Sequence, residues 1–250
     1  MKHARANIGA ASARRALPEL APAVSPVEST GAVTARQVEP LSAKAKPSLT
    51  EDVGNVKTTA MSFRNMHEHG DLLLKYMEAR KKIFIDRLKW HVPQTDGLEF
   101  DQYDTPYCRW VVLHEFGEVI GGVRLVPTTA RCGIYSYMLR DAQAGILPDL
   151  PTDVLFFKAP VEAGIWEASR FFISETVPAK RRRAVQSMLF GAMNDMAKEN
   201  GALFILGIVP YIWARWARRL DVSATPIGAK FDIEGTKSQS VLFNTSSIES

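Results

Sequence analysis

Apolar positions recur with a helical period over residues 70–89, where Leu73, Met77, Phe84 and Leu88 fall on one stripe. Two β-rich runs follow, at residues 109–114 and 119–126, and the tetrad Glu115-Phe-Gly-Glu118 between them fits a hairpin turn. Residues 165–174 form a third such run. Pro178 opens and Gly201 closes a predicted helix over residues 179–200. The unbroken apolar run at 202–209 predicts a buried strand, 211–220 another helix, and 227–243 one or two further strands. A short helix is expected near residues 136–144, ahead of a Pro-rich loop. Helix, hairpin, strand–helix–strand–helix and final strands together predict an α/β (α+β) domain, a mixed central sheet flanked by helices.

Nothing periodic precedes Met61. Residues 1–60 are rich in Ala, Ser, Pro, Thr and Val and lack Trp, Tyr and Phe. Ordering such a segment buries too little apolar surface to offset the entropy lost. The expected division is a disordered extension over 1–60 and a domain over 61–250. Lys2, Arg5, Arg14 and Arg15, with no acid up to Leu17, also resemble an organelle transit peptide, whereas Arg14 and Arg15 interrupt the apolar core a secretory signal needs.

Composition narrows the function classes. The 250 residues are 46% hydrophobic and 23% charged, which suits a globular domain and excludes collagen, fibre and full-length disorder. A net charge of +4 suits an acidic partner without demanding nucleic acid. Two cysteines, Cys108 and Cys132, make no disulfide framework and are expected as free thiols in a reducing cytoplasm. The apolar run at 203–214 is short and carries Pro210, so no membrane span is expected.

The histidines, at 3, 67, 69, 91 and 114, lack the spacing of a metal site, so no metal is expected. Gly-x-Ser-x-Gly, a Walker loop and a dinucleotide fingerprint are all missing. A charged set remains: Glu99, Asp101, Asp104 and Glu167 against Arg80, Arg124 and Arg170, each arginine inside an otherwise apolar element. Arg80 lies on the helical stripe, which requires a carboxylate partner; Asp101 or Asp104 is expected to supply it. Singly, such residues are more often structural ion pairs. Together, beside Phe84 and Trp90, they predict a cleft for a zwitterionic, aromatic-bearing ligand. Lys180, Arg181, Arg182 and Arg183 open a helix after a central strand, where backbone N–H groups attract phosphate; a solvated basic helix end is the alternative. Trp213, Arg215, Trp216, Arg218 and Arg219 could suggest nucleic acid, but the tryptophans are spaced to pack on the sheet, and no nucleic acid is expected.

Four blocks then stand in register: Arg80-x3-Phe84-x5-Trp90, Glu99-Phe-Asp101-Gln-Tyr-Asp104, Gly122-x-Arg124-Leu-x-Pro-Thr128 and Trp166-Glu167-x-Ser169-Arg170-Phe171. With them the chain resembles the acyl-homoserine-lactone synthases, the LuxI-type autoinducer synthases of bacterial quorum sensing, over roughly residues 75–220. The resemblance implies a GNAT-like N-acyltransferase fold. It implies S-adenosylmethionine as a substrate and an acyl thioester, on acyl carrier protein or coenzyme A, as donor. The products would be an N-acyl-homoserine lactone, methylthioadenosine and the free carrier; no cofactor is implied. Glu167 would be the catalytic base. Arg80, Phe84, Trp90, Asp101, Asp104, Arg124, Ser169 and Arg170 would line or brace the S-adenosylmethionine pocket, and Lys180 to Arg183 would meet the carrier or its phosphate.

Two expectations stay open to geometry. On a regular strand Glu167 and Ser169 share one face and Arg170 points to the other, so a bulge or splay is needed for all three to serve one cleft. The strand at 202–209 holds no Ser or Thr, which points to an unsubstituted acyl chain. The alternatives are an N-acyl amino acid synthase of the same fold, distinguished by methylthioadenosine release, and a non-catalytic acyl-binding module.

Overall fold

The computed structural model describes residues 53–211 and 224–247. Most of the extension and the helix expected at 211–220, with its tryptophans and arginines, lie outside the described residues. The strands are β1 (Lys57–Met61), β2 (Gln94–Thr95), β3 (Leu98–Glu99), β4 (Arg109–Glu115), β5 (Glu118–Pro127), β6 (Ile165–Ile173), β7 (Phe204–Pro210), β8 (Ala224–Ile233) and β9 (Thr236–Asn244). The α-helices are α1 (Leu72–Arg80), α2 (Met138–Gln143) and α3 (Ala179–Glu199). Seven strands form one sheet in the order β1-β4-β5-β6-β7-β9-β8, while β2 and β3 form a small hairpin. Only β6 and β7 run parallel; their neighbours are antiparallel.

Alternation along the strands sends side chains to two separate cores. Trp110, Val112, Val126, Ile165 and Leu206 pack with α1 and α2 on one face, and Val111, Val123, Leu125, Trp166 and Ile205 pack with α3 on the other. Gly122 is required on the first face. A Cβ there would lie 2.5 Å from the Tyr76 ring of α1, so the missing side chain lets the helix lie close to the sheet.

Two expectations shift. The sheet takes in residues ahead of Met61, because residues 57–61 form the edge strand β1 against β4. That strand buries only Met61 and so lacks the apolar alternation by which strands are recognised. The helix expected over 70–89 is α1 followed by a π-helical segment, Lys81–Arg87. Its wider turns carry Phe84 inward and leave Leu88 exposed, so the buried stripe is Leu72, Tyr76, Met77, Arg80, Ile83 and Phe84.

The pairing of β6 with β7 runs from Ile165↔Phe204 to Ala168↔Gly207 and stops there. Beyond it β6 stays with β5, and β7 with β9, so the sheet opens at its middle. Gly207 marks the last contact: a Cβ there would press within 3.1 Å of the Ala168 carbonyl.

Candidate active site

Six of the seven charged residues singled out from the sequence blocks, all but Glu167, meet on the α1 face, and they close a ring. Arg80 binds Asp104 through both terminal nitrogens, at 2.7 and 3.0 Å, and gives its Nε to Glu99. Glu99 Oε1 accepts from Arg170 at 2.9 and 3.1 Å. Arg170 Nη2 also reaches Asp101 Oδ2 at 2.9 Å. Asp101 takes both terminal nitrogens of Arg124, whose Nη1 lies 3.0 Å from Asp104. Three cations therefore alternate with three anions, which removes the net charge that would make burial prohibitive.

Local sequence builds the ring. After β3, the turn carrying Asp101 and Asp104 closes on itself: Asp104 Oδ2 accepts from Asp101 N at 3.0 Å, and Asp101 Oδ1 from Tyr103 N at 2.8 Å. Trp110 of β4 donates its indole N–H to Asp104 Oδ1 at 3.2 Å. Each guanidinium lies over a ring: Arg80 over Tyr76 at 5.5 Å, Arg124 over Tyr103 at 5.6 Å, and Arg170 over Phe84 at 5.4 Å. Burial would raise the pKa of Asp101 and of Asp104, but the adjacent arginines outweigh it and hold both below the usual carboxylate range. Arg80 takes Asp104 as expected, with Glu99 rather than Asp101 as its second acid.

Strand β6 delivers Arg170 to the ring through a bulge. Between the pairs Gly122↔Phe172 and Arg124↔Ser169, β5 has one residue and β6 has two. Arg170 is the first of these, with φ at +56°. The extra residue turns Arg170 to the face of Glu167 and Ser169. Ser169 Oγ accepts from Arg124 Nε at 3.1 Å. Phe84 stacks on Trp90 at 5.1 Å, and His91 is tied by its backbone N–H and its Nδ1 to Glu234 at the β8–β9 turn, both at 2.9 Å.

Glu167 stands apart from the ring. It is 1% exposed, and its two oxygens accept from the backbone N–H groups of Met138 and Leu139, at 2.9 and 2.8 Å, at the start of α2. Burial pushes its pKa up to about 7, against the opposing pull of those N–H groups.

The basic helix start is divided. Arg181 binds Glu115 at 2.8 and 3.2 Å, and Arg182 donates to the carbonyl of Val177 at 3.1 Å. Lys180 and Arg183 are exposed. Among the described residues, no three His, Cys, Asp or Glu side chains gather as a metal site, and no helix is long and apolar enough to cross a membrane.

With the geometry in view, the profile of the family described as autoinducer synthase matches residues 64–247. The chain belongs to the autoinducer synthase family. An acyl-homoserine-lactone synthase of Ralstonia nicotianae is 33% identical over 155 residues, covering 60% of this chain and 70% of the relative. Among solved structures, TofI in a ternary complex with an inhibitor and MTA superposes with a TM-score of 0.61 at 25% identity, covering 76% of this chain and 91% of TofI. A CoA-dependent acyl-homoserine lactone synthase, BjaI, with SAM and isopentyl-CoA, superposes with a TM-score of 0.61 at 23% identity over 76% of this chain and 83% of BjaI. An acyl-CoA N-acyltransferase of Pseudomonas aeruginosa shares the fold alone, with a TM-score of 0.51 at 9% identity over 75% of this chain and 99% of that one. The fold of this synthase is therefore GNAT-like, and the chain is an acyltransferase.

Two members of the charged site were not assigned to the pocket from sequence. Glu99 bridges two arginines, and its signal was present in the three acids between 99 and 104. Tyr103, under Arg124, carried no signal beyond being aromatic in an acidic turn.

Proposed function

We propose that this autoinducer synthase joins S-adenosylmethionine to an acyl thioester, forms an N-acyl-homoserine lactone and releases methylthioadenosine. The observation that carries the proposal is the closed ring of Arg80, Glu99, Arg170, Asp101, Arg124 and Asp104 beside the Phe84–Trp90 stack. The ring holds its members rigid. Arg170, 8% exposed in its side chain, keeps Nη1 without a partner among the described residues, so it has a donor left for the methionyl carboxylate. Phe84, packed against both Trp90 and Arg170, braces Trp90, whose half-buried ring offers a face to the sulfonium and the purine.

The attacking amine must lose a proton, and Glu167 is the base we assign. A carboxyl poised near 7 is half ionised at neutral pH, and each oxygen retains a second lone pair beyond its N–H contact. Past Ala168 the backbone of β6 no longer pairs with β7, which leaves room for the thioester and strand N–H groups for its developing oxyanion. Lactone closure then needs only the methionyl carboxylate held against its own γ-carbon, so that methylthioadenosine departs. Exposed Lys180 and Arg183 face the phosphate of the donor or an acidic carrier protein. The reaction as written uses no cofactor, and substrates drawn from intracellular metabolism support a cytoplasmic enzyme.

Incubation with S-adenosylmethionine and a panel of acyl thioesters on coenzyme A and on acyl carrier protein tests the proposal by mass detection. Lactone and methylthioadenosine should appear in equal amounts. Acylated product without methylthioadenosine would replace the synthase by an N-acyl amino acid synthase.

A further inference from the structure

The gap between β6 and β7 takes the thioester in the reading above, and the sheet beside that gap decides which acyl groups fit. Register fixes the neighbours. Glu167 pairs with Leu206, Leu206 with Leu242, and Ile208 with Ser240. Paired residues project to one side, so these five share the face that carries α1 and α2. Ile208 is the first residue of β7 beyond its last pair with β6. Ser240 lies one strand further on, about 4.8 Å away in the sheet.

Ser240 is fully buried, and its Oγ has no hydrogen-bond partner. The other buried serine and threonine hydroxyls among the described residues behave differently. Ser169 accepts from Arg124, Thr128 donates to the Glu162 carbonyl, Ser238 to that of Thr236, and Thr245 to that of Ala202. A serine hydroxyl rotates to take any partner within reach, so an orphaned one has no donor or acceptor at hydrogen-bond distance. Strand β8 explains the isolation. It pairs with β9 at Pro226↔Val241 and Lys230↔Gln239 and skips Ser240. Gly228 stands there instead, and the Val154 carbonyl lies 2.0 Å from where its Cβ would be, so no side chain can cover Ser240 from that strand. The surrounding face is apolar, with Leu206, Ile208, Ile227, Val154 and Leu242.

We propose that Ser240 is a specificity-determining residue, whose hydroxyl donates to a keto or hydroxyl oxygen carried by the acyl chain close to its thioester. The preferred donor is then an oxygenated acyl thioester rather than a plain one. The inference rests on the synthase reading. It reverses the expectation drawn from residues 202–209: that strand has no hydroxyl, but its partner β9 places one on the same face.

The test offers the full-length enzyme equal amounts of unsubstituted, 3-oxo and 3-hydroxy acyl thioesters of one chain length, on coenzyme A and on acyl carrier protein. Lactones are quantified by mass. Wild type should favour an oxygenated donor over the plain one by about tenfold, the effect of one buried hydrogen bond. Ser240→Ala should remove that preference while turning over the plain donor within about twofold of wild type, and Ser240→Thr, which keeps the hydroxyl, should retain it. A wild type that prefers the plain donor, or a Ser240→Ala enzyme with an unchanged ratio, overturns the inference and leaves the synthase intact. A wild type that forms no lactone from any donor overturns the synthase reading, and this inference with it.

Discussion

The two halves of the sheet handle buried polarity in opposite ways. Over β4, β5 and β6 six charged side chains from α1, β3, the turn after it, β5 and β6 are packed together, and nearly every donor is matched within the ring. On β7, β9 and β8 the same face is apolar, and its one orphan is the Ser240 hydroxyl. Each half nevertheless leaves a polar group without a partner among the described residues, Arg170 Nη1 in the first and Ser240 Oγ in the second. Native interiors seldom leave polar atoms unmatched, so these two groups are the ones open to what arrives with the ligands. The charged half is built to hold a zwitterion, and the apolar half to measure a chain.

The largest effect should come from breaking the charged half. Arg124→Met leaves Asp101 and Asp104 buried without one of their cations, a loss of about 3–5 kcal/mol. In a domain of this size that lowers the melting temperature by roughly 10 °C or more, as calorimetry would show. A melting temperature within about 2 °C of wild type would mean that the ring contributes little.

Next comes pH. Glu167 has a folded pKa near 7 against an ordinary value of 4.5, so the folded state holds its proton longer than the unfolded chain does. Its contribution is most favourable below about 4.5, declines as pH rises to about 7, and costs about 3 kcal/mol above that. Asp101 and Asp104 have the opposite sign: lowered in the fold, they stabilise fully above the ordinary aspartate range and lose that contribution only in strong acid. Melting temperatures between pH 5 and 7 should therefore fall in wild type, and the slope should flatten in Glu167→Gln. An identical slope in both would place the titration elsewhere.

The smallest effect tests an orphan that no ligand needs. Tyr76 is fully buried on the α1 face, and its hydroxyl has no partner. Tyr76→Phe should leave turnover unchanged and raise stability by up to about 1 kcal/mol, measured by urea unfolding. A loss of activity would bring that hydroxyl into the site.

How much of this was legible beforehand follows from range. The hairpin, β6 and α3 were predicted almost residue for residue, because their periods are local and end at Gly and Pro. The need for a carboxylate beside Arg80 was also legible, since a guanidinium on an apolar stripe demands one. The closed ring was not: strand alternation implied that a bulge or splay was needed near Arg170, but neither its position nor the partners it selects leaves a period in the sequence. Ser240 was missed for a related reason: a strand's own residues do not say which strand lies beside it. The end of the helix at 70–89 went astray where the π-helical turns changed the period.

The central claim is that the amine of S-adenosylmethionine, held beside the ring, gives its proton to Glu167. The most direct measurement is methylthioadenosine release at saturating substrates across neutral pH, for wild type and Glu167→Gln. Wild-type turnover should rise through about pH 7 to a plateau, and the variant should fall by a factor of about 10² or more across the range while still binding S-adenosylmethionine. A Glu167→Gln enzyme that keeps the wild-type rate and pH profile would contradict the account.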